Sequence, residues 1–107
     1  MVEISDNSIA VVKKLLDEIK AANIRIEKAF LFGSHARGNP GEWSDIDVAL
    51  VSSDFSGMPF YDSKKLNPFV LKVDTRIELH PFRPEDFTEA NDFIREIIKS
   101  GIPLQNL

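Results

Sequence analysis

The chain has 107 residues, a formal net charge of −4, no cysteine and eight phenylalanines among its few aromatics. That length suits one domain over residues 1–107. The mild acidity gives no strong nucleic-acid signal, and the absent thiol excludes disulfides, thiol catalysis and cysteine metal sites. Apolar runs are far shorter than a membrane span and the N-terminus (MVEISDNS) lacks signal-peptide character, so a cytoplasmic protein is expected.

From Ser5 or Asp6 to about Ala22, Ile9, Val12, Leu15, Leu16 and Ile19 recur at helical spacing. Ser5, Asp6 or Asn7 can cap its start, and Asn23, which tolerates a left-handed backbone, is a plausible stop. Ile26 to Phe32 reads as a strand leading into Gly33, where the backbone is free to turn sharply. Ser34-His35-Ala36-Arg37 can form a short helical turn, and Gly38-Asn39-Pro40-Gly41 is loop. Asp45 to Val51 is a second strand, almost wholly apolar after its two acids, which suits a strand covered by helices.

Residues 52–59 read as loop and 60–73 as weakly helical, with Asn67-Pro68 either capping a new turn or breaking the segment. Val73 to Pro81 alternates as a third strand, placing Val73, Thr75, Ile77 and Leu79 against Asp74, Arg76, Glu78 and His80. A final helix is expected from Pro84 through about Lys99, with Gly101 just past its end. The elements describe an α/β (α+β) domain with a short sheet flanked by helices.

The chemistry concentrates in Gly33 to Val48, GSHARGNPGEWSDIDV. Residues two apart on a strand share a face, about 6.6 Å apart at roughly 3.3 Å per residue. Asp45 and Asp47 placed that way repel each other and are costly to desolvate unless a cation lies between them. The Gly33-Ser34 turn offers backbone N–H groups and a hydroxyl to phosphate oxygens. Together these features point to a divalent metal, Mg²⁺ by its preference for oxygen ligands, and a nucleoside triphosphate such as ATP. A two-metal site needs a third acid. Glu78 on the third strand is the first candidate, as metal ligand or as base toward an attacking hydroxyl, and Asp74 on the same face is the second. Arg37 can pair with the phosphates through its planar donor fork.

Gly33-Ser34, ten residues, then Asp45-Ile46-Asp47 resembles the GS-x10-DxD motif of the DNA polymerase β-like nucleotidyltransferase superfamily. In longer form, Gly33, Ser34, Ala36, Arg37, Gly38, Ser44, Asp45 and Asp47 resemble the GSxARGxxxxxSDxD pattern of the minimal nucleotidyltransferases. The resemblance implies the polymerase β-like fold with a small mixed sheet, and Mg²⁺-dependent transfer of a nucleoside monophosphate, commonly AMP, to a hydroxyl. It also implies a partner: many such proteins resemble the antitoxin of a pair whose toxin is a small helical HEPN-type ribonuclease. In the family the third acid is usually Asp, whereas here the candidate is Glu78.

Several residues have plainer readings. Ser44 either caps its loop or orients Asp45; Arg37 either contacts phosphate or forms a structural ion pair. His35 reads as a surface residue; His80, two residues after Glu78 and on its face, as a partly buried structural histidine ahead of a nucleotide contact or a role supporting the acids; and Trp43 as packing for its loop ahead of stacking on a base. The rival to an enzyme is a non-catalytic nucleotide-binding or toxin-neutralising module that keeps the fold. An open site and candidate surface phenylalanines leave room for a homo-oligomer.

Overall fold

The computed structural model describes residues 6–33 and 45–104. Its elements run α1 (Asp6–Ala21), β1 (Lys28–Phe32), β2 (Ile46–Val51), α2 (Pro59–Val73), β3 (Ile77–Phe82), a 3-10 turn (Pro84–Asp86), α3 (Asp92–Ser100) and β4 (Ile102–Pro103). They form the expected α/β fold around a four-stranded mixed sheet ordered β3-β2-β1-β4.

The apolar stripe of α1 buries Val12, Leu15, Leu16 and Ile19. The helix stops at Asn23, whose φ of 65° is left-handed. There the N–H of Asn23 donates to the Lys20 carbonyl and that of Ile24 to the Ile19 carbonyl, at 2.9 and 3.4 Å. This paired closure satisfies two carbonyls that the helix end would otherwise strand.

β1 and β2 are antiparallel, pairing Lys28 with Val51 through to Phe32 with Asp47. β2 and β3 are parallel, pairing Ile46 with Ile77 through to Val51 with Phe82. A parallel pair needs a long crossover, which α2 supplies. Because β2 is central, both of its faces are covered, and this explains its apolar run. Ile46, Val48 and Leu50 join Leu31, Ile77 and the buried residues of α1 and α2 in one core. On the other face Ala49 and Val51 join Phe30, Phe87 and the α3 residues Ile94 and Ile97 in a smaller core.

Four sequence expectations need correction. Residues 59–73 form one continuous helix despite Pro68. Proline at a helix interior costs about 3 kcal/mol, but Pro68 and Lys64, whose carbonyl loses its usual donor, lie on the exposed side while Leu66 and Val70 are buried. The third strand begins at Ile77, not Val73, because Val73 still belongs to α2 and packs against the larger core. The alternation nevertheless keeps its parity.

The last helix begins at Asp92 rather than Pro84. Phe87 anchors the intervening turn instead, its ring 5.6 Å from Phe30 and 5.4 Å from Phe82. Asn91 supplies the cap, its Oδ1 accepting from the N–H groups of Phe93 at 2.9 Å and Ile94 at 3.2 Å. Asn91→Ala is therefore expected to cost about 1 kcal/mol, seen as a fall of about 4–8 °C in Tm. Finally, β4 was not expected. Its two residues pair with Phe30 and Leu31, and two residues are too few to carry a period.

The loop into α2 is held by a buried carboxylate. Asp62 accepts from the Ser56 N–H and hydroxyl at 2.9 and 3.0 Å and from the Gly57 N–H at 3.2 Å. These hydrogen bonds are internal to the segment, and the Asp62 charge also acts on the Arg83 guanidinium.

Candidate active site

The strand registers bring residues from three strands into one row. Phe32 pairs with Asp47 and Asp47 with Glu78, so the last residue of β1 and the second residues of β2 and β3 lie side by side. The next row is Phe30, Ala49 and His80. Both rows project toward the smaller core, and short α3 leaves their outer end open. Asp47 and His80 side chains are 25% and 26% exposed and Glu78 is 55% exposed, so water and a ligand can reach the group from one side.

Asp47, Glu78 and His80 each offer a ligand atom, and the three lie within 4.8 Å of one another. His80 Nε2 is 3.4 Å from Asp47 Oδ1 and 3.9 Å from Glu78 Oε1. Its ring packs between two others, edge-on to Phe32 at 5.0 Å between centroids and tilted to Phe93 at 5.9 Å. Two carboxylates and an imidazole make a donor set suited to a divalent cation.

Gly33 closes this arrangement from below. Its φ is +77°, and a Cβ there would lie 2.5 Å from Asp47 Oδ2. Only glycine lets the backbone after β1 pass so close to the carboxylate while adopting a left-handed conformation. The turn and the acid therefore occupy one contact, a relation that motif spacing alone does not reveal.

Of the residues singled out in the sequence, the structure thus brings Gly33, Asp47 and Glu78 together. Asp45, immediately before β2, is exposed and not part of the converging group. Ser34, Arg37 and Ser44, together with His35 and Trp43, lie outside the described residues. Asp74 does not lie on β3. It follows the end of α2, where it accepts from Arg76 Nε at 3.1 Å and Nη2 at 2.8 Å. Those side-chain hydrogen bonds hold its carboxyl below the usual carboxylate range, and it has no place in the group. His80, read from the sequence as structural, is the member that the motif did not mark. Its spacing of two from Glu78 on a strand was the available signal.

Residues 12–104 match the profile of the nucleotidyltransferase domain. The chain belongs to that family. Its fold is also that of a candidate nucleotidyltransferase from Sulfolobus solfataricus solved by crystallography, with a TM-score of 0.65 at 18% identity, covering 91% of this chain and 78% of that one. No curated protein matches the sequence. Membership bears out the resemblance to the minimal nucleotidyltransferases and implies a nucleoside triphosphate substrate. Nucleotidyltransferases typically use a divalent metal, and the convergence of Asp47, Glu78 and His80 fits that use. Among the described residues no helix is long and apolar enough to cross a membrane.

Proposed function

We propose that this nucleotidyltransferase moves a nucleoside monophosphate, AMP in the first instance, from a Mg²⁺-bound triphosphate to a hydroxyl. The observation that carries the reading is the pairing of Asp47 with Glu78 on adjacent strands, at the lip of the Gly33 turn. Asp45, Asp47 and Glu78 would hold the metal. Once bound, the cation supplies charge neutralisation and polarisation at the phosphate oxygens. Gly33 and Ser34 bind the phosphates through backbone N–H groups and the Ser34 hydroxyl, Arg37 pairs with phosphate oxygens, and Ser44 orients Asp45. Glu78 has a second task open to it: more exposed than Asp47, it can take the proton of the attacking hydroxyl.

The acceptor hydroxyl is assigned to a partner protein, a small helical HEPN-type toxin in the first instance. Met58, Phe60 and Tyr61 stand exposed at the start of α2, an apolar group of the kind that marks an interaction surface. The chain acts as one nucleotidyltransferase domain in this reading.

The decisive experiment incubates the protein, Mg²⁺ and candidate acceptors with ATP labelled at either the α- or the γ-phosphate. Nucleotidyl transfer places the α-label and not the γ-label on the acceptor. Acceptor left unlabelled, with ATP nevertheless bound, would favour the non-catalytic module. Glu78→Gln is expected to lower the transfer rate on the order of tenfold or more, with a smaller change in ATP affinity, as read from single-turnover kinetics and nucleotide titration.

A further inference from the structure

The candidate site contains one group that acid-only magnesium chemistry does not require, the His80 imidazole. We propose that His80 is a nitrogen ligand of the bound cation and biases this site from Mg²⁺ toward Mn²⁺, Co²⁺ and related transition ions. The inference rests on the reading of Asp47 and Glu78 as metal ligands.

Three observations support it. First, His80 Nε2 lies within reach of two carboxylates at once, in a long hydrogen bond of 3.4 Å with Asp47 Oδ1 and 3.9 Å from Glu78 Oε1. A committed N–H···O bond is normally about 2.7–3.2 Å, so neither distance describes a well-made direct bond. Second, the spacings suit an ion. Six-coordinate ligands about 2.1 Å from a metal lie about 3 Å apart when adjacent and about 4.2 Å apart when opposed. The separations of His80 from both acids fall between those two values, and the 4.8 Å bound on the whole group lies just above them. Third, the imidazole is already oriented, with Phe32 edge-on to it at 5.0 Å and Phe93 tilted against it at 5.9 Å. A ring positioned by packing loses little freedom on binding a ligand.

The consequence follows from donor chemistry. Mg²⁺ prefers oxygen and keeps its waters, whereas imidazole nitrogen favours later divalent ions, whose affinities rise from Mn²⁺ through Co²⁺. An Asp-Glu-His set therefore discriminates where a set of carboxylates alone would do so weakly.

The test uses the full chain without nucleotide. Mn²⁺ is followed by pulsed electron paramagnetic resonance and Co²⁺ by visible absorption, with Mg²⁺ measured by competition. Nitrogen hyperfine coupling is expected on Mn²⁺ bound to the wild type and to His35→Gln, and its loss in His80→Gln. The same variant should bind Co²⁺ about tenfold more weakly or worse, with little change for Mg²⁺ and an unchanged circular-dichroism spectrum. Absence of nitrogen coupling in the wild type, which needs no variant to fold, overturns the role of His80. So does a folded His80→Gln that retains coupling and Co²⁺ affinity. Asp47→Asn separates the two levels: if it leaves Mn²⁺ binding intact, the metal-site reading itself fails. If it removes Mn²⁺ binding while the wild type shows no nitrogen coupling, only the assignment of His80 fails.

Discussion

Asp47→Asn should abolish metal-dependent nucleotide transfer, by about a thousandfold or more, while the protein stays folded. A thousandfold is about 4 kcal/mol of transition-state stabilisation, a reasonable share for a ligand whose loss displaces a catalytic cation. The substitution keeps the side chain's shape and removes its charge. In the metal-free protein that change relieves repulsion, because Asp47 and Glu78 are direct partners in the β2–β3 register and like charges placed opposite one another destabilise a sheet. Without metal the variant should thus melt at the wild-type temperature or slightly above it.

Adding the cation should reverse the order. At a concentration one hundred times its Kd, a ligand specific to the folded state stabilises it by about 2.7 kcal/mol, and the variant should gain almost none of this. Thermal melts with and without Mg²⁺ or Mn²⁺, beside the transfer assay, read both effects. A variant that keeps its metal-induced shift and transfers at the wild-type rate would remove Asp47 from the site. A variant that melts far lower without metal would instead make Asp47 a structural residue.

The parts of this arrangement were unequally legible in the sequence. The parity of β3 could be read from Ile77 and Leu79, both apolar and directed to the larger core, which left Glu78 and His80 for the other face. Alternation said nothing of where the strand began. The preceding residues Val73 and Thr75 keep the same period by chance while Val73 is held in α2, and this made Asp74 look like an alternative third acid. Helical spacing misled in the same way after Pro84. Phe87 and Ala90 continue the pattern of α3 backwards, but Phe87 is used as a ring packed on Phe30 and Phe82. The role of Asn91 as cap depends on a local side-chain bond that competes with several other Asp, Ser and Thr positions. His80 was legible only in its face, not in its role. Its neighbours Phe32 and Phe93 come from β1 and α3, and no single-segment pattern places them around it.

Gly33→Ala is expected to be the most damaging single-methyl change in the described part of the site. Two costs arise together. A φ of +77° penalises any residue with a Cβ by about 1–2 kcal/mol. The new methyl would also lie 2.5 Å from Asp47 Oδ2, so either the turn opens or the carboxylate swings away from Glu78 and His80. We expect about 2–4 kcal/mol lost from folding and metal binding weakened by at least tenfold, even though no ligand atom has been removed. A double-mutant cycle separates the two costs. Asp47→Ala removes the atom that the methyl strikes but leaves the backbone penalty, so Gly33→Ala should be less destabilising in the Asp47→Ala background than in the wild type. A coupling of about 1 kcal/mol or more, from denaturant melts of the four proteins, would tie the phosphate-side turn physically to the metal-side acid. Simple additivity would show that the two halves of the motif fold independently, and their close approach would then carry no mechanical meaning.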